Sequence, residues 1–444
     1  MEQLSRKIKL GFGIGDLGGN LFFTLIGFYL MYYLTDIVQL PSIYAGWALL
    51  IGKIWDAITD PVTGYVSDIT RTKWGRRRPY IFIGAILTFI SMMLLFSSPE
   101  VSSTLVLFFL VTLFFCMLNL SYTLVNIPYA ALVPELTADF DERTVLTGYR
   151  MIFAVIGTLV GAGLVLPLVN LIPASEQGWL FMGTVMGGVM MTTALITVFV
   201  VREPERPAGR KAENFLKTYV NAFTLKPFLL ALIPWTFFIT GVTIIQSSLL
   251  YFFKYIYNQE ELFQIALMFL LIMSLIFIPI WVKISKKIGK KYCYMIGMGI
   301  MIIGIVSFVI FGQEGRTIFA FVLMTISGIG LSTHYVIPHS ILPDVVEYDY
   351  VKFGIRREGV FSSLWTFLSK IGQAFALFLT GLLLDVFQYS PNIQPEEITL
   401  LGFRIISGVA PVIFLAAGII ILNFFPITRV FYDKMITTGN IPEQ

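Results

Sequence analysis

The chain is a succession of apolar runs separated by short polar segments, and this pattern extends over nearly its whole length. The runs reach the length of about 20 residues that an α-helix needs to cross the hydrocarbon core of a bilayer. About twelve of them can be recognised, centred near residues 22, 54, 89, 115, 157, 189, 239, 272, 301, 330, 371 and 412. The pattern therefore predicts an all-α membrane protein with about twelve transmembrane helices.

The longest polar segment, residues 202–226, divides these helices into six and six. It contains Pro204, Pro207 and Gly209 among mixed acidic and basic residues, a composition typical of a linker. We therefore expect an N-terminal six-helix bundle over residues 1–201, a cytoplasmic linker at 202–226 and a C-terminal six-helix bundle over 227–444.

A short internal sequence repeat indicates that the two halves arose by duplication. Ile-Pro-Tyr-Ala-Ala-Leu-Val-Pro-Glu at 127–135 recurs, one residue shorter, as Ile-Pro-His-Ser-Ile-Leu-Pro-Asp at 337–344. Each copy ends the fourth helix of its half, and a polar loop with arginine is expected after each, at 139–144 and 348–359. Repeated halves related by an axis along the membrane normal are typical of one large class of secondary transporters, with the substrate site near mid-depth between the halves.

Composition indicates that the chain lies in a membrane, and the distribution of charge indicates which loops face the cytoplasm. Hydrophobic residues make up 57% of it and charged residues 13%, and the mean hydropathy of +0.81 excludes an ordinary soluble domain. Basic residues collect in cytoplasmic loops, so the loops after the second and eighth helices and both termini should face the cytoplasm, with the protein in the plasma or inner membrane. The basic residues of those two loops are Arg71, Lys73, Arg76, Arg77 and Arg78, and Lys283, Lys286, Lys287, Lys290 and Lys291.

Three charged residues interrupt the second apolar run: Lys53, Asp56 and Asp60. Their spacing places them on one face of a helix, where two carboxylates can clasp a small cation. A charge that faces lipid at mid-depth costs about 2.5 to 3.5 kcal/mol on insertion scales, so this face should point at a cavity or at a partner. The alternative is a neutralised structural cluster at a helix end near the membrane interface.

Six short blocks, spread over nearly the whole chain, carry a resemblance to a known family. They are Gly-Ile-Gly-Asp at 13–16, Trp-Asp-Ala-Ile-Thr-Asp-Pro at 55–61, Gly-Arg-Arg-Arg-Pro at 75–79, Asn-Ile-Pro-Tyr at 126–129, Asp-Glu-Arg-Thr at 141–144 and Arg-Arg-Glu-Gly at 356–359. In this order the blocks resemble those of the glycoside-pentoside-hexuronide:cation symporters, a branch of the major facilitator superfamily. The resemblance implies two six-helix bundles and cation-coupled symport by alternating access.

The resemblance also implies roles for individual residues. In the family the two acids of the second helix hold the coupling cation, which implies a metal-ion site at Asp56 and Asp60, with Thr59 and Thr123 as neutral oxygen donors. The expected coupling ion is Na⁺, with H⁺ and Li⁺ as alternatives. The residues implied in substrate binding are Asp16, Asn126, Arg150 and Lys370, completed by Tyr122 and Thr366.

Two positions depart from the melibiose-permease pattern within that family. Asn126 stands where that branch has an aspartate, and Ala130 where it has a tryptophan on which a sugar ring stacks. An asparagine still hydrogen-bonds hydroxyl groups, but the lost indole removes an aromatic face that sugars favour. We therefore expect a glycoside, pentoside or hexuronide other than a galactoside. A lysophospholipid is the alternative, because residues 338–345 also resemble the sodium-dependent lysophosphatidylcholine symporter.

An intramembrane aspartyl protease is a remote alternative, because Gly-x-Gly-Asp at 13–16 matches one of its motifs. The Tyr348-Asp349 pair that would supply the second acid follows this block, which is the wrong order, and the chain has no Pro-Ala-Leu sequence. It also has no phosphate-binding loop of the Gly-x-x-x-x-Gly-Lys-Ser/Thr type. We expect no enzyme activity, no cofactor and no nucleic-acid partner, and a monomer surrounded by membrane lipid.

Two further groups receive structural interpretations. The arginine cluster at 75–78 is expected to brace the cytoplasmic face through a charge pair with Asp68, in preference to binding anionic lipid. His334 and His339 are expected to pack and form hydrogen bonds, in preference to relaying protons.

Overall fold

The computed structural model describes residues 4–137, 140–203, 223–313, 315, 317–354, 357–438 and 440–441. Over these ranges the chain consists of helices and short connections, without a β-strand. Eleven of the described helical segments are long and apolar enough to cross a membrane. The predicted all-α membrane protein is confirmed.

We number the α-helices in chain order. The N-terminal half contains α1 (Arg6–Gly13), α2 (Gly15–Phe28), α3 (Leu30–Tyr32), α4 (Ser42–Ile69), α5 (Arg78–Leu95), α6 (Thr104–Leu136), α7 (Phe140–Asn170) and α8 (Ser175–Val200). The C-terminal half contains α9 (Lys226–Tyr251), α10 (Leu262–Ile288), α11 (Lys290–Phe311), α12 (Thr317–Phe353), α13 (Glu358–Val386), α14 (Glu397–Arg404), α15 (Ala410–Leu422) and α16 (Arg429–Thr438).

The number of spans agrees with the count from apolar runs. The helices α1 to α3 together make one path across a bilayer, and α14 with α15 make another, which gives twelve long segments in the described chain. Eleven of these are the apolar segments, and the twelfth is α4, whose 28 residues are also long enough to span. The charged residues Lys53, Asp56 and Asp60 lie in its central turns and lower its hydropathy.

The first transmembrane segment of each half ends in a π-helical turn, here called a π-turn. The first π-turn, Tyr33–Ile37, follows α3, and the second π-turn, Phe252–Ile256, follows α9. Two residues after each turn the backbone enters the left-handed region, at Gln39 (φ 57°) and Asn258 (φ 56°). Both features recur at an offset of 219 residues, from 33 to 252 and from 39 to 258. A third π-turn, Ile405–Val409, joins α14 to α15.

Packing divides the chain into two compact units. Unit 1 comprises Met1–Gly209 and Leu377–Ile393, and unit 2 comprises Arg210–Ala376 and Gln394–Gln444. The division at 1–201, 202–226 and 227–444 stays a prediction, because residues 204–222 of the linker lie outside the described residues.

Glycines bring the helices that carry the charged side chains of unit 1 close together. A Cβ added to Gly52 of α4 would lie 2.1 Å from a ring atom of Phe115 in α6. One added to Gly157 of α7 would lie 2.2 Å from the backbone oxygen of Leu17 in α2. Such positions let helices approach without a side chain between them, so α4 packs against α6 and α2 against α7.

The predicted polar loop at 348–359 is wrong in its first half. The helix α12 continues to Phe353 and includes Tyr348 and Asp349. Asp349 is fully buried and forms an ion pair with Arg357. A paired carboxylate can stay inside a helix bundle, and this pairing lets α12 extend beyond its apolar run.

The predicted loop at 139–144 is also wrong, because α7 begins at Phe140. Glu142 in its first turn is buried and accepts a hydrogen bond from the backbone N–H of Leu4 at 2.8 Å. The Lys9 Nζ lies 2.8 Å from the same carboxylate. An acidic residue is favoured at a helix N-terminus, and these partners allow the helix to start earlier than the apolar pattern indicates.

Candidate functional site

The acidic pair of α4 meets a hydroxyl group of α6. The Oγ1 of Thr123 lies 3.0 Å from Oδ1 of Asp56 and 3.0 Å from Oδ1 of Asp60. Asp56 and Thr123 are each 1% exposed, and Asp60 is half-buried. The structure therefore brings together three of the four residues expected at the cation site.

The shared hydroxyl has a chemical consequence. A threonine hydroxyl carries one hydrogen, so it can donate to only one of the two carboxylates at a time. Two carboxylates held this close also repel each other when both are ionised. A proton on one carboxyl group or a small cation between them relieves both problems. The arrangement is suited to binding one positive charge.

Lys53 is buried beside this pair. Its Nζ lies 3.9 Å from Oδ2 of Asp56, and 5.5 Å and 5.8 Å from the ring centres of Phe22 and Phe23 in α2. The side chain of Lys53 is 3% exposed, so the charged face of α4 points into unit 1 and away from lipid. These residues lie in the middle of a 28-residue helix, which disagrees with a neutralised cluster at a helix end.

Thr59, the fourth residue expected at the cation site, has another contact. Its hydroxyl donates to the backbone oxygen of Asp56 in the same helix at 3.2 Å. Thr59 is buried and adjacent in sequence to Asp60. Its described hydrogen bond is to the backbone and not to either carboxylate.

A second charged cluster joins α2 to α7. The guanidinium of Arg150 donates to both carboxylate oxygens of Asp16, from Nε and from the terminal nitrogen, at 3.2 Å each. The guanidinium carbon lies 4.9 Å from the ring centre of Tyr129, whose hydroxyl donates to the backbone oxygen of Phe12 at 2.8 Å. Bidentate pairing of this kind fixes both orientation and charge.

Three of the six residues expected to bind substrate line one small cavity. Asp16, Tyr122 and Asn126 are in its wall, and its volume is about 20 Å³. This volume holds about one water molecule. The cavity is therefore the place where these polar side chains come together, and in this conformation it is smaller than a sugar. Arg150 reaches the cavity wall through its pair with Asp16.

Tyr122 lies between the two charged clusters. Its ring stacks on Phe22 with centres 4.1 Å apart, and Phe22 is one of the rings beside Lys53. Tyr122 also lines the cavity at Asp16, and it is adjacent in sequence to Thr123, which contacts both carboxylates of the acidic pair. One side chain therefore lies beside both clusters.

The other two residues expected to bind substrate belong to unit 2. Thr366 and Lys370 are four residues apart on α13 and so share a face. Thr366 is exposed and its hydroxyl donates to the backbone oxygen of Ser362 at 3.1 Å, while Lys370 is half-buried.

An aromatic stack in unit 2 was not predicted. Trp235 stacks on His334 with ring centres 4.3 Å apart and on Trp365 at 5.2 Å, and Phe238 stacks on the other side of His334 at 4.2 Å. The indole nitrogens of Trp235 and Trp365 are buried, and neither has a hydrogen-bond partner among the described residues. The one feature of the sequence that pointed to this cluster was the position of Trp365, directly before Thr366, which was expected to bind substrate. We call these four residues the aromatic stack.

The structural interpretation of the histidines holds for His334. Besides its two stacking contacts, its Nδ1 lies 3.3 Å from the hydroxyl of Tyr294. His339 makes an edge contact with Trp235 at 5.1 Å between ring centres. His334 thus packs and forms a hydrogen bond, and His339 packs; the preference for these roles over a proton relay stays a prediction.

The predicted charge pair of the arginine cluster is confirmed. Arg77 donates to Oδ1 of Asp68 at 2.8 Å. Glu203 was not predicted to take part, yet its carboxylate accepts hydrogen bonds from three consecutive backbone N–H groups at the start of α5. These belong to Arg76, Arg77 and Arg78, at 2.9, 2.9 and 2.8 Å.

The metal-ion expectation rests on two acids alone. In the described part of the chain, no group of three or more His, Cys, Asp or Glu side chains is placed to hold a metal ion. A cation at Asp56 and Asp60 would need neutral oxygens to complete its shell, as hard cations commonly do. Thr123 is one such donor by position.

Comparison with known proteins agrees with this architecture. A family model described as MFS/sugar transport protein matches residues 11–429. The chain is 28% identical to the uncharacterized symporter sll1374 of Synechocystis sp., over 98% of this chain and 96% of that protein. It is 24% identical to the sodium-dependent lysophosphatidylcholine symporter 1 of Xenopus tropicalis, over 96% of this chain and 88% of that protein.

A solved structure shares the fold. It is that of a bacterial homolog to the human lysosomal transporter Spinster, in an inward-facing and unoccupied conformation. The TM-score is 0.70 with 13% sequence identity, over 99% of this chain and 98% of that one. This likeness carries the fold alone.

Proposed function

The chain belongs to the family of MFS/sugar transport proteins as a cation-coupled symporter, and we propose that its substrate is a glycoside, pentoside or hexuronide. It is a multi-span membrane transporter and not an enzyme. In this proposal Na⁺ is the coupling ion, with H⁺ or Li⁺ as alternatives, and the protein works by alternating access as a monomer in the plasma or inner membrane. Both termini face the cytoplasm.

The observation that carries the substrate proposal is the bidentate pair of Asp16 and Arg150 on a cavity that Asn126 also lines. Together these groups offer donors and acceptors in the arrangement that several hydroxyls require. An acyl chain placed here would remove water from these charged and amide groups and offer them no hydrogen bond in return, which is costly. A polyhydroxylated substrate can exchange hydrogen bonds with the pair and keep every group satisfied.

The coupling proposal places the cation at Asp56 and Asp60. A bound cation neutralises part of their charge at Thr123, whose neighbour in sequence, Tyr122, lines the cavity with Asp16. Cation and substrate then favour each other's binding by the same factor, because the coupling free energy of two ligands is reciprocal. Lys53, which pairs with Asp56, is the side chain that must reorganise when the cation arrives.

The test is transport by purified protein in liposomes, with and without a Na⁺ gradient, against a panel of glycosides, pentosides, hexuronides and lysophospholipids. The expected result is Na⁺-stimulated accumulation of at least one sugar derivative. Accumulation of lysophospholipid alone would reject the sugar proposal.

A lysophospholipid is a second candidate, favoured by the similarity to the lysophosphatidylcholine symporter. It predicts a distinct dependence on chain length. Burial of each CH₂ gains about 0.8 kcal/mol, so affinity would rise about fourfold per added carbon across a homologous series. A sugar carrier would show no such rise for alkyl glycosides of increasing length.

A further inference from the structure

Asn119 on α6 has a buried oxygen that no described group satisfies. The residue is fully buried, and its Nδ2 donates to the backbone oxygen of Phe115 at 2.9 Å. Its Oδ1 has no hydrogen-bond partner among the described residues. A buried carbonyl oxygen normally has a donor, so an unpartnered one needs an explanation such as an ion or a water.

The packing of α4 against α6 places this oxygen at the level of the acidic pair. Gly52 contacts Phe115, and Gly64 contacts Ile127, so the two helices run side by side at an offset of 63 residues (52 to 115 and 64 to 127). The same offset puts Asp60 opposite Thr123, which is the contact observed at 3.0 Å. It also puts Asp56 opposite Asn119.

The helical spacing of α6 gives the same placement. Counted from Asn119, three polar residues of α6 follow at three, four and seven positions. This spacing puts them on the same helix face as Asn119; they are Tyr122, Thr123 and Asn126. Thr123 on that face contacts both carboxylates, while Tyr122 and Asn126 line the cavity at Asp16. Asn119 therefore faces the interior of unit 1 one turn along the helix from Thr123.

We propose that Oδ1 of Asn119 is a ligand of the coupling cation, next to the carboxylates of Asp56 and Asp60. This inference rests on the proposed cation site and extends it to ion choice. An amide oxygen coordinates a hard cation readily but does not take up a proton near neutral pH. Asn119 thus favours an alkali cation, Na⁺ or Li⁺, over H⁺.

The experiment measures Na⁺ and Li⁺ binding directly, by calorimetry on purified protein in choline buffer, for the wild type and Asn119→Ala. We expect the dissociation constants for both ions to rise at least tenfold. The substitution Asn119→Ser, which returns a smaller oxygen, should recover part of the loss.

The matched control is Thr112→Val, two turns earlier on α6. Thr112 is also buried, and its hydroxyl also donates to the backbone oxygen four residues before it, at 2.7 Å from Phe108. It should leave Na⁺ affinity unchanged. Melting temperatures in choline buffer check that each variant is folded.

The outcomes separate the inference from the proposal beneath it. If Asp56→Asn loses Na⁺ binding while Asn119→Ala stays within twofold of the wild type, the Asn119 assignment is overturned and the acidic site stands. If Na⁺ binding survives Asp56→Asn and Asp60→Asn, the acidic site itself is rejected.

Discussion

The two units share a backbone plan but fill it with different chemistry. The first and second π-turns occupy equivalent places in the two halves and are 219 residues apart. By the same offset, the residue equivalent to Asp16 is Trp235. Unit 1 therefore has a carboxylate paired with an arginine where unit 2 has an indole in the aromatic stack. In unit 1 the buried charged groups include Asp16, where α1 meets α2, and Lys53 and Asp56 in the middle of α4.

The ion pairs described in unit 2 lie nearer helix ends. Lys290, the first residue of α11, contacts Asp344 at 2.6 Å, and Arg357 pairs with Asp349 next to the end of α12. Lys370 is a charged residue within α13. A buried charge is expensive unless paired, whereas a buried aromatic ring is favourable on its own. We propose that ion and hydroxyl recognition are concentrated in unit 1, while unit 2 contributes the buried aromatic stack.

The largest expected effect lies at the acidic pair of unit 1. Asp56→Asn or Asp60→Asn should abolish cation-stimulated uptake, because truncating one partner of a buried charge pair costs about 2 to 5 kcal/mol of binding, or at least about 30-fold in affinity. The measurement is uptake in liposomes with and without Na⁺. Asp68→Asn on the same helix is the control, since Asp68 is exposed and pairs with Arg77. Full stimulation in either variant would exclude that residue as a ligand.

The next effect concerns the pair of Asp16 and Arg150. Arg150→Ala and Asp16→Asn should weaken substrate binding about 10- to 100-fold, the range for hydrogen bonds to charged groups worth about 1.5 to 3 kcal/mol. Na⁺ affinity measured without substrate should change much less. Calorimetric titration of each ligand gives both constants, and unchanged substrate affinity in both variants would remove the pair from the site.

The smallest effect is expected in unit 2. Trp235→Leu and Trp365→Leu should weaken binding of a sugar about 2- to 10-fold, because an aromatic contact is worth about 0.5 to 1.5 kcal/mol beyond its area. The control is Trp281→Leu, whose buried indole already donates to the backbone oxygen of Ile329 at 3.0 Å. Losses as large as those at Arg150 would contradict the division of roles between the units.

Much of the fold follows from the sequence because apolar length and helix formation are linked in a bilayer. The helix ends follow less well. The extension of α12 to Phe353 depends on Asp349 meeting Arg357 in space, and the start of α7 depends on Glu142 meeting Leu4 and Lys9. Neither pairing is visible in a local pattern of hydrophobic and polar residues.

The candidate site shows the same limit. Asp56 and Asp60 were evident from their spacing in an apolar run, and Thr123 from family resemblance. Asn119 was present in the sequence as one of two asparagines in an apolar segment, but its unsatisfied oxygen appears only once α6 is packed on α4. The stacking of Trp235 on Trp365 likewise joins residues that are 130 positions apart (235 to 365).

The π-turns also carry information about history. A π-turn arises when one residue is added to an α-helix without breaking it. The turns at Tyr33–Ile37 and Phe252–Ile256 occupy equivalent places in the two halves, so the simplest account is a single insertion in an ancestor half as long, before its gene was doubled. The turn at Ile405–Val409 has no equivalent in the described residues of α8, the sixth helix of the other half. This difference between the halves arose after the duplication, by gain of the turn in one half or by its loss from the other.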